Sequence, residues 1–291
     1  MKPAPFTYHR AEAAAHAAEV LAQFGDEARI LAGGQSLLPM MSLRIVAPSH
    51  LIDISKTTDL MAVEVGTQGL EVGAAATYRR VAEHGAINQF PIIARAIAHV
   101  GHEPIRNRGT LVGSIAHNDP AGELPAVALV TGAEVRLRSV RGSRSVPIDD
   151  FLTEAYTTTI ADDELIESIR FPRPEAGSHQ GFAEYARRPG DYASAGVVCQ
   201  VGYRPDGSVT ACRVATLAGG GGVRRHPAAE ARIVSGGSSG LNIGLAAQAT
   251  AASATGESDR YHRRLIQHLA ADAFGQAAGP SNRGPHGESN R

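Results

Sequence analysis

Two short glycine-containing stretches hold the residues best suited to chemistry in this chain. They are Ala32-Gly33-Gly34-Gln35-Ser36 and Thr110-Leu111-Val112-Gly113-Ser114. Each follows or interrupts an apolar run and carries no charged side chain. Loops without bulky side chains let backbone N–H groups converge on phosphate oxygens. Two of them suggest two phosphates held from two sides, as in a dinucleotide cofactor, with Gly33-Gly34 and Gly113 as simple tight turns the alternative reading. Neither has the Gly-x-Gly-x-x-Gly spacing of a Rossmann fingerprint, and the glycine run 219–222 fails the same test. A nucleotide bound here is bound by a different fold.

Other chemistries find less support. Gly236-Gly237-Ser238-Ser239-Gly240 matches the Gly-x-Ser-x-Gly spacing of a nucleophile elbow. That elbow needs a strand before it, a helix directly after it, and an acid and a histidine that fold back. Only Asp259, His262, His268 and Asp272 follow, within a short helical end, so the stretch reads as an inter-element loop. None of the 12 histidines forms His-Glu-x-x-His, and His99 with His102 beside Gly101 lacks a third partner. No metal site is expected. Lys2 and Lys56 are the only lysines, which removes Schiff-base and P-loop lysine chemistry. Cys199 and Cys212 cannot ligate an iron–sulfur cluster alone and are expected as small buried groups, with room in the pattern for neighbouring strands. Asp162, Asp163 and Glu164 read as a solvated turn.

These residues need elements to position them. Residues 10–24 are Ala-rich, with Glu12, Glu19 and Leu21 at helical spacing and Gly25 as a stop. Residues 28–32 read as a buried strand running into the first glycine loop, 37–43 as a helical turn and 51–54 as another strand. The first loop therefore lies at a strand-to-helix junction, where unpaired N–H groups and the helix dipole favour an anion. A strand at 70–75 precedes Thr77, an N-cap for a helix over 78–84. A second helix over 92–100 stops at Gly101. A polar stretch with Arg106 and Arg108 leads to the second loop, and 123–130 reads as helical. Strands follow at 134–138 and 165–171, with a turn at Gly142.

Pro172, Pro174, Gly177 and Ser178 form a linker. Beyond it, strands at 193–203 and 209–217 flank the hairpin turn Pro205-Asp206-Gly207. Helices are expected at 227–234, 244–253 and 259–274, so the second domain reads as α+β. The stretch from Gly279 reads as a disordered tail.

The chain has 291 residues, enough for one large domain or two of ordinary size, and its 43% apolar and 20% charged composition predicts a packed interior. With 28 basic against 29 acidic residues there is no electrostatic reason to invoke nucleic acid or an anionic membrane. No apolar run reaches the roughly 20 residues that span a bilayer. Charges interrupt the N-terminal apolar runs, so no signal-peptide core is read. The expected location is cytoplasmic, or exported only with a partner.

Three motifs together resemble one family. Ala32-Gly33-Gly34-Gln35-Ser36-Leu37-Leu38-Pro39 resembles the first flavin-binding loop of molybdenum hydroxylase flavoprotein subunits. Thr110-Leu111-Val112-Gly113-Ser114-Ile115-Ala116-His117-Asn118-Asp119-Pro120-Ala121-Gly122-Glu123-Leu124-Pro125 looks like their second, and Arg187-Arg188-Pro189-Gly190-Asp191-Tyr192-Ala193 is similar to a third signature. These are medium subunits of carbon-monoxide-dehydrogenase-like and xanthine-dehydrogenase-like enzymes, and the resemblance covers residues 1–275 in order.

The resemblance implies an α+β chain. A two-subdomain FAD-binding domain of the vanillyl-alcohol-oxidase (PCMH) type would span 1–174, with subdomains at about 1–56 and 57–174. A small α+β domain like that of carbon monoxide dehydrogenase flavoproteins would follow at 178–276, then a tail at 277–291. By position, Ala32, Gly33, Gly34, Gln35, Ser36 and Leu37 would hold the FAD pyrophosphate. Thr110, Gly113, Ser114, His117 and Asn118 would line the other side. Glu123 would accept hydrogen bonds from sugar hydroxyls, Ile166 would lie near the adenine, and Tyr192 near the isoalloxazine ring. One position departs: the second loop of the family usually carries two adjacent glycines, and Val112 stands at the first. A β-branched residue disfavours positive φ, so that backbone is expected to be extended or FAD affinity weakened.

The implied role is an oxidoreductase subunit that transfers electrons and needs no catalytic acid or base of its own. The molybdenum cofactor would sit in a large partner subunit and 2Fe–2S clusters in a small one, in a dimer of heterotrimers. Two rival readings are a self-contained FAD-dependent oxidoreductase of the same fold, and a scaffold subunit that has lost FAD.

Overall fold

Ala14, Ala17, Ala18, Val20 and Leu21 form the buried face of helix α1 (Ala14–Phe24), which stops at Gly25 with φ +51°. The helix connects β1 (Thr7–Arg10) to β2 (Ala28–Leu31), and α2 (Leu37–Ser42) leads on to β3 (His50–Asp53). In this computed structural model, which describes residues 2–218, 222–255 and 259–279, the three strands form a parallel sheet in the order β1-β3-β2. Arg10, Asp53 and Leu31 share one register position, so all three strands end at the same edge. The helix expected from residue 10 begins at Ala14 because Arg10 closes β1.

Next come β4 (Val63–Gly66), β5 (Gly69–Gly73), α3 (Tyr78–Ala82), α4 (Pro91–His99), α5 (Glu103–Arg106), α6 (Leu111–His117) and α7 (Glu123–Thr131). Thr77 caps α3 as expected, its hydroxyl accepting from Arg80 N–H at 3.2 Å. Then β6 (Glu134–Ser139), β7 (Gly142–Pro147), α8 (Ile148–Phe151) and β8 (Leu165–Phe171) follow. An antiparallel sheet runs β4-β5-β8-β6-β7. Its β8, paired on both sides, buries Leu165, Ile169 and Phe171, and α1 and α6 pack on it. This sheet, the parallel sheet and their helices make a first unit, residues 1–118 with 132–173.

Two sequence expectations need correction here. Residues 111–117 form a helix, not a loop, because Thr110 caps their first turn. The acidic run is not simply a solvated turn. Arg141 pairs with Asp163, and Arg144 donates to both oxygens of Glu164 at 2.7 Å. Glu164 is buried, and the Arg144 guanidinium holds its carboxyl below the usual carboxylate range.

The second unit joins residues 119–131 to the chain from 174 onward. Strands β9 (Ser178–Tyr185), β10 (Ala195–Tyr203), β11 (Val209–Leu217) and β12 (Arg224–Arg225) form an antiparallel sheet in the order β12-β11-β10-β9. Helices α9 (Pro227–Ser235) and α11 (Arg260–Gln276) pack on it, α10 (Ile243–Ala254) packs on those two helices, and α7 packs on β10 and β11. The expected hairpin turn is present, with Gly207 N–H donating to Arg204 O at 2.9 Å. Cys199 and Cys212 do lie on neighbouring strands, opposite Val214 and Val201 respectively. Both are buried, and burial pushes the Cys212 thiol up to about 12, so it stays protonated and unreactive.

One small parallel sheet and two antiparallel sheets, with helices packed on them, give the α+β class expected. Most of the glycine run 219–222 and the tail beyond Gly279 lie outside the described residues. Among the described residues no helix is long and apolar enough to cross a membrane, and no three His, Cys, Asp or Glu side chains are grouped to hold a metal.

Candidate functional site

The first glycine segment leaves β2 at the carboxyl edge of the parallel sheet, the edge where open α/β sheets bind ligands. Gly34 has φ +73°, and a Cβ there would lie 2.9 Å from Leu38 Cδ1. Both facts select glycine. Gln35 Nε2 folds back and donates to Gly33 O at 3.1 Å. Leu38 N–H, donating to Gly34 O at 3.2 Å, opens the helical bonding of α2. The amides of Gln35, Ser36 and Leu37 precede that bond and remain outside the helical ladder. Residues 32–37 are all half-buried, so this stretch remains in part open to solvent.

The second segment is a capped helix. Thr110, 4% exposed, accepts from Gly113 N–H at 3.0 Å. Val112 sits inside α6 with helical backbone and is buried. Of the two alternatives stated for this position, an extended backbone is not what forms, and the helical backbone requires no left-handed conformation of the valine. Ser114 and His117 are half-buried further along α6, the His117 ring lying 5.2 Å from that of Tyr156. Asn118 ends the helix in the left-handed region at φ +46°. Its Nδ2 donates to Glu154 O and Thr157 O at 2.8 and 3.0 Å. The Asn118 side chain thus fastens the 154–157 turn to the end of α6. Ile166, buried on β8, pairs across to Leu137 on the sheet that α6 covers.

The two segments meet. A Cβ on Gly33 would lie 2.3 Å from Arg108 O and 2.7 Å from the Cα of Gly109. Segments far apart in sequence therefore pass backbone against backbone just before each enters its helix.

Glu123 and Tyr192 belong to the second unit. Glu123 is buried at the first turn of α7, where a carboxylate suits the helix dipole. Tyr192 is 70% exposed and follows a turn in which Asp191 N–H donates to Arg188 O at 3.1 Å, with Gly190 at φ +83°. Sequence reasoning passed over Gly109. Its signal was weak, a glycine directly before a capping threonine with no left-handed φ.

The donor set fits a pyrophosphate. Segments 32–37 and 110–118 contain no carboxylate and offer amides together with the Ser36 and Ser114 hydroxyls.

Comparison with known proteins agrees. Residues 4–174 match the family model described as the FAD binding domain in molybdopterin dehydrogenase. The chain is 37% identical over 250 residues to the 6-hydroxypseudooxynicotine dehydrogenase complex subunit alpha of Paenarthrobacter nicotinovorans, covering 86% of this chain and 84% of that one. It is 34% identical to the carbon monoxide dehydrogenase medium chain of Hydrogenophaga pseudoflava over 72% of each. A solved structure of carbon monoxide dehydrogenase from Hydrogenophaga pseudoflava, lacking the Mo-pyranopterin moiety of its cofactor, superposes with a TM-score of 0.88. That match has 30% identity and covers 95% of this chain and 98% of that one. The quinoline 2-oxidoreductase of Pseudomonas putida 86 matches with a TM-score of 0.86 and 31% identity, over 95% and 98% of the two chains. The chain belongs to the family of FAD-binding domains of molybdopterin dehydrogenases, as a medium, FAD-binding subunit of multi-subunit molybdenum hydroxylases.

Proposed function

We propose that this subunit relays electrons from the iron–sulfur clusters of a small partner subunit to a final acceptor. Substrate is oxidised at a molybdenum cofactor in a large partner subunit, and the whole assembles as a dimer of heterotrimers in the cytoplasm. The observation that carries the reading is the meeting of Gly33 with Arg108 and Gly109, which sets two donor-rich, carboxylate-free segments side by side.

The amides of residues 34–37 and the Ser36 hydroxyl hold the pyrophosphate from one side. Ser114 and His117 line the other, while Thr110, engaged as a cap, fixes where α6 begins. Glu123, acceptor-only when ionised, receives sugar hydroxyls. Ile166 backs the adenine, and Tyr192 lies by the isoalloxazine. The FAD-binding domain spans 1–174 and the C-terminal domain 178–276. Bound FAD supplies the ability to take electrons singly and release two together. The chain's own work is to bind and orient the ring, and none of its side chains acts as an acid or base.

The test is to purify the subunit with its partners, release flavin by denaturation, and identify the co-purifying chains. One FAD per subunit, reduced by substrate only while the partners are attached, is expected. A complex with no releasable flavin, or a lone chain that oxidises substrate unaided, overturns the reading.

A further inference from the structure

We infer that Gly109 and Tyr78 are positioning residues that fix the spacing between the two phosphate-facing segments. The inference rests on the placement of the pyrophosphate between residues 34–37 and α6 given above.

Gly33 and Gly109 face each other through backbone alone. The atoms a Gly33 Cβ would meet, Arg108 O, the Arg108 carbonyl carbon and Gly109 Cα, lie at 2.3, 2.9 and 2.7 Å, and none is the movable end of a side chain. Behind Gly109 stands an aromatic ring. A Cβ on Gly109 would lie 2.8 Å from Tyr78 Cε2, 3.1 Å from Tyr78 Cδ2 and 3.0 Å from Ile105 O. Tyr78 is 5% exposed and its own N–H donates to Gly109 O at 2.9 Å, so ring and backbone of one residue both hold Gly109. Gly109 N–H donates to Ile105 O at 2.7 Å, and Thr77 bridges to Thr110 next door. The result is a stack of Tyr78 ring, backbone of residue 109 and backbone of residue 33. Neither Gly33 nor Gly109 has a positive φ, so space and not conformational freedom demands glycine at both.

A ligand with two linked phosphates that touches both segments reads the distance between them. A stack without flexible side chains sets that distance before the ligand arrives, which spares the cost of ordering it on binding. A methyl group at residue 109 has nowhere to go except against the Tyr78 ring or the Ile105 carbonyl. It must shift α6 relative to the first segment.

The experiment uses the full chain, stripped of flavin, and titrates FAD by its fluorescence in the wild type, Gly109→Ala, Tyr78→Val, the double variant and Gly85→Ala. Gly85 is a control, because its Cβ would meet nothing within 4 Å. Gly85→Ala should bind FAD as the wild type does. Gly109→Ala should bind on the order of tenfold more weakly. In the Tyr78→Val background, where the ring no longer occupies the space, the same methyl should weaken binding by less than about threefold. Wild-type-like FAD binding by Gly109→Ala overturns the inference, as does a double variant that loses the full product of the two single effects. If Gly109→Ala does not fold, the double variant set against Tyr78→Val decides alone. Folding with near-equal FAD affinity upholds the stack, and misfolding or a further tenfold loss overturns it. A wild-type chain that takes up no FAD fails at the earlier step, the placement of the cofactor, and takes the inference with it.

Discussion

Gly34 and Val112 show how a single residue's backbone requirement can be read or misread from sequence. Gly34, at φ +73°, has the left-handed backbone that a strand-to-helix glycine loop suggests. Val112 looked like a defect because a glycine was expected in its place, yet it lies within α6 and is 2% exposed. The valine is therefore a core residue of a helix that the sequence presents as a loop. Val112→Gly should destabilise the chain by about 2 kcal/mol, from lost apolar burial and poor helix propensity. It should leave the FAD dissociation constant unchanged, as checked by urea unfolding and a flavin titration. Gly33 was legible only as a small residue near phosphate. The space it leaves for Arg108 and Gly109 depends on a segment that local sequence cannot bring into view.

Most of the strands divide along one physical line, the exception being β2, an edge strand that was anticipated but is less buried than expected, with only Ala28 fully buried. The strands that sequence patterning anticipated include β8, β10 and β11, which bury near-continuous apolar runs. The strands it did not anticipate are β1, β4, β7, β9 and β12, and each is at or ends a sheet edge. An edge strand buries less, so β1 and β7 show mostly exposed side chains and no apolar alternation. Caps were more legible, since Thr77 acts where its residue type and the following helix predict. Thr110 also caps α6, the element on which one wall of the site depends, but there the sequence reads as a loop and neither cap nor helix was anticipated. Thr110→Ala should lower stability by about 1 kcal/mol and weaken FAD binding, whereas Thr110→Ser should retain most of both. Thermal unfolding of the flavin-free chain beside the flavin titration checks the pair.

At the scale of the molecule, the chain gives residues 119–131 to the second unit before returning to the first at Gly132. Residues 123–130 are all buried. A fragment ending at residue 174 retains α7 without the strands β10 and β11 that cover it. Such a fragment should be poorly soluble, and adding the remainder of the chain should restore it, as gel filtration would show. The second unit also buries His226, whose ring nitrogens lie 2.8 Å from Thr216 Oγ1 and 3.2 Å from Ser253 Oγ. Burial, with a smaller contribution from Arg224, pushes the imidazole down to about 4. The unfolded chain therefore binds this proton at higher pH than the folded one. Stability from His226 is full above about pH 6.5 and is lost as pH falls toward 4, by up to roughly 3 kcal/mol. Urea midpoints at pH 8 and pH 4.5 should differ accordingly, and His226→Gln should flatten that difference.

The sequence by itself determined what local chemistry controls: the stop at Gly25, the cap at Thr77, the hairpin around Asp206, the core strand β8 and the donor-rich stretch 32–37. It also carried the motifs by which the family is recognised. Tertiary structure decided what depends on residues distant in the chain. It set Gly33 against Gly109, buried Glu164 against Arg144, placed α7 in the second unit and turned the second glycine loop into a capped helix. Local pattern records a residue's conformational preference and its apolar character. Which backbone it meets, and how closely, is settled only when separate segments pack to exclude water and satisfy their hydrogen bonds together.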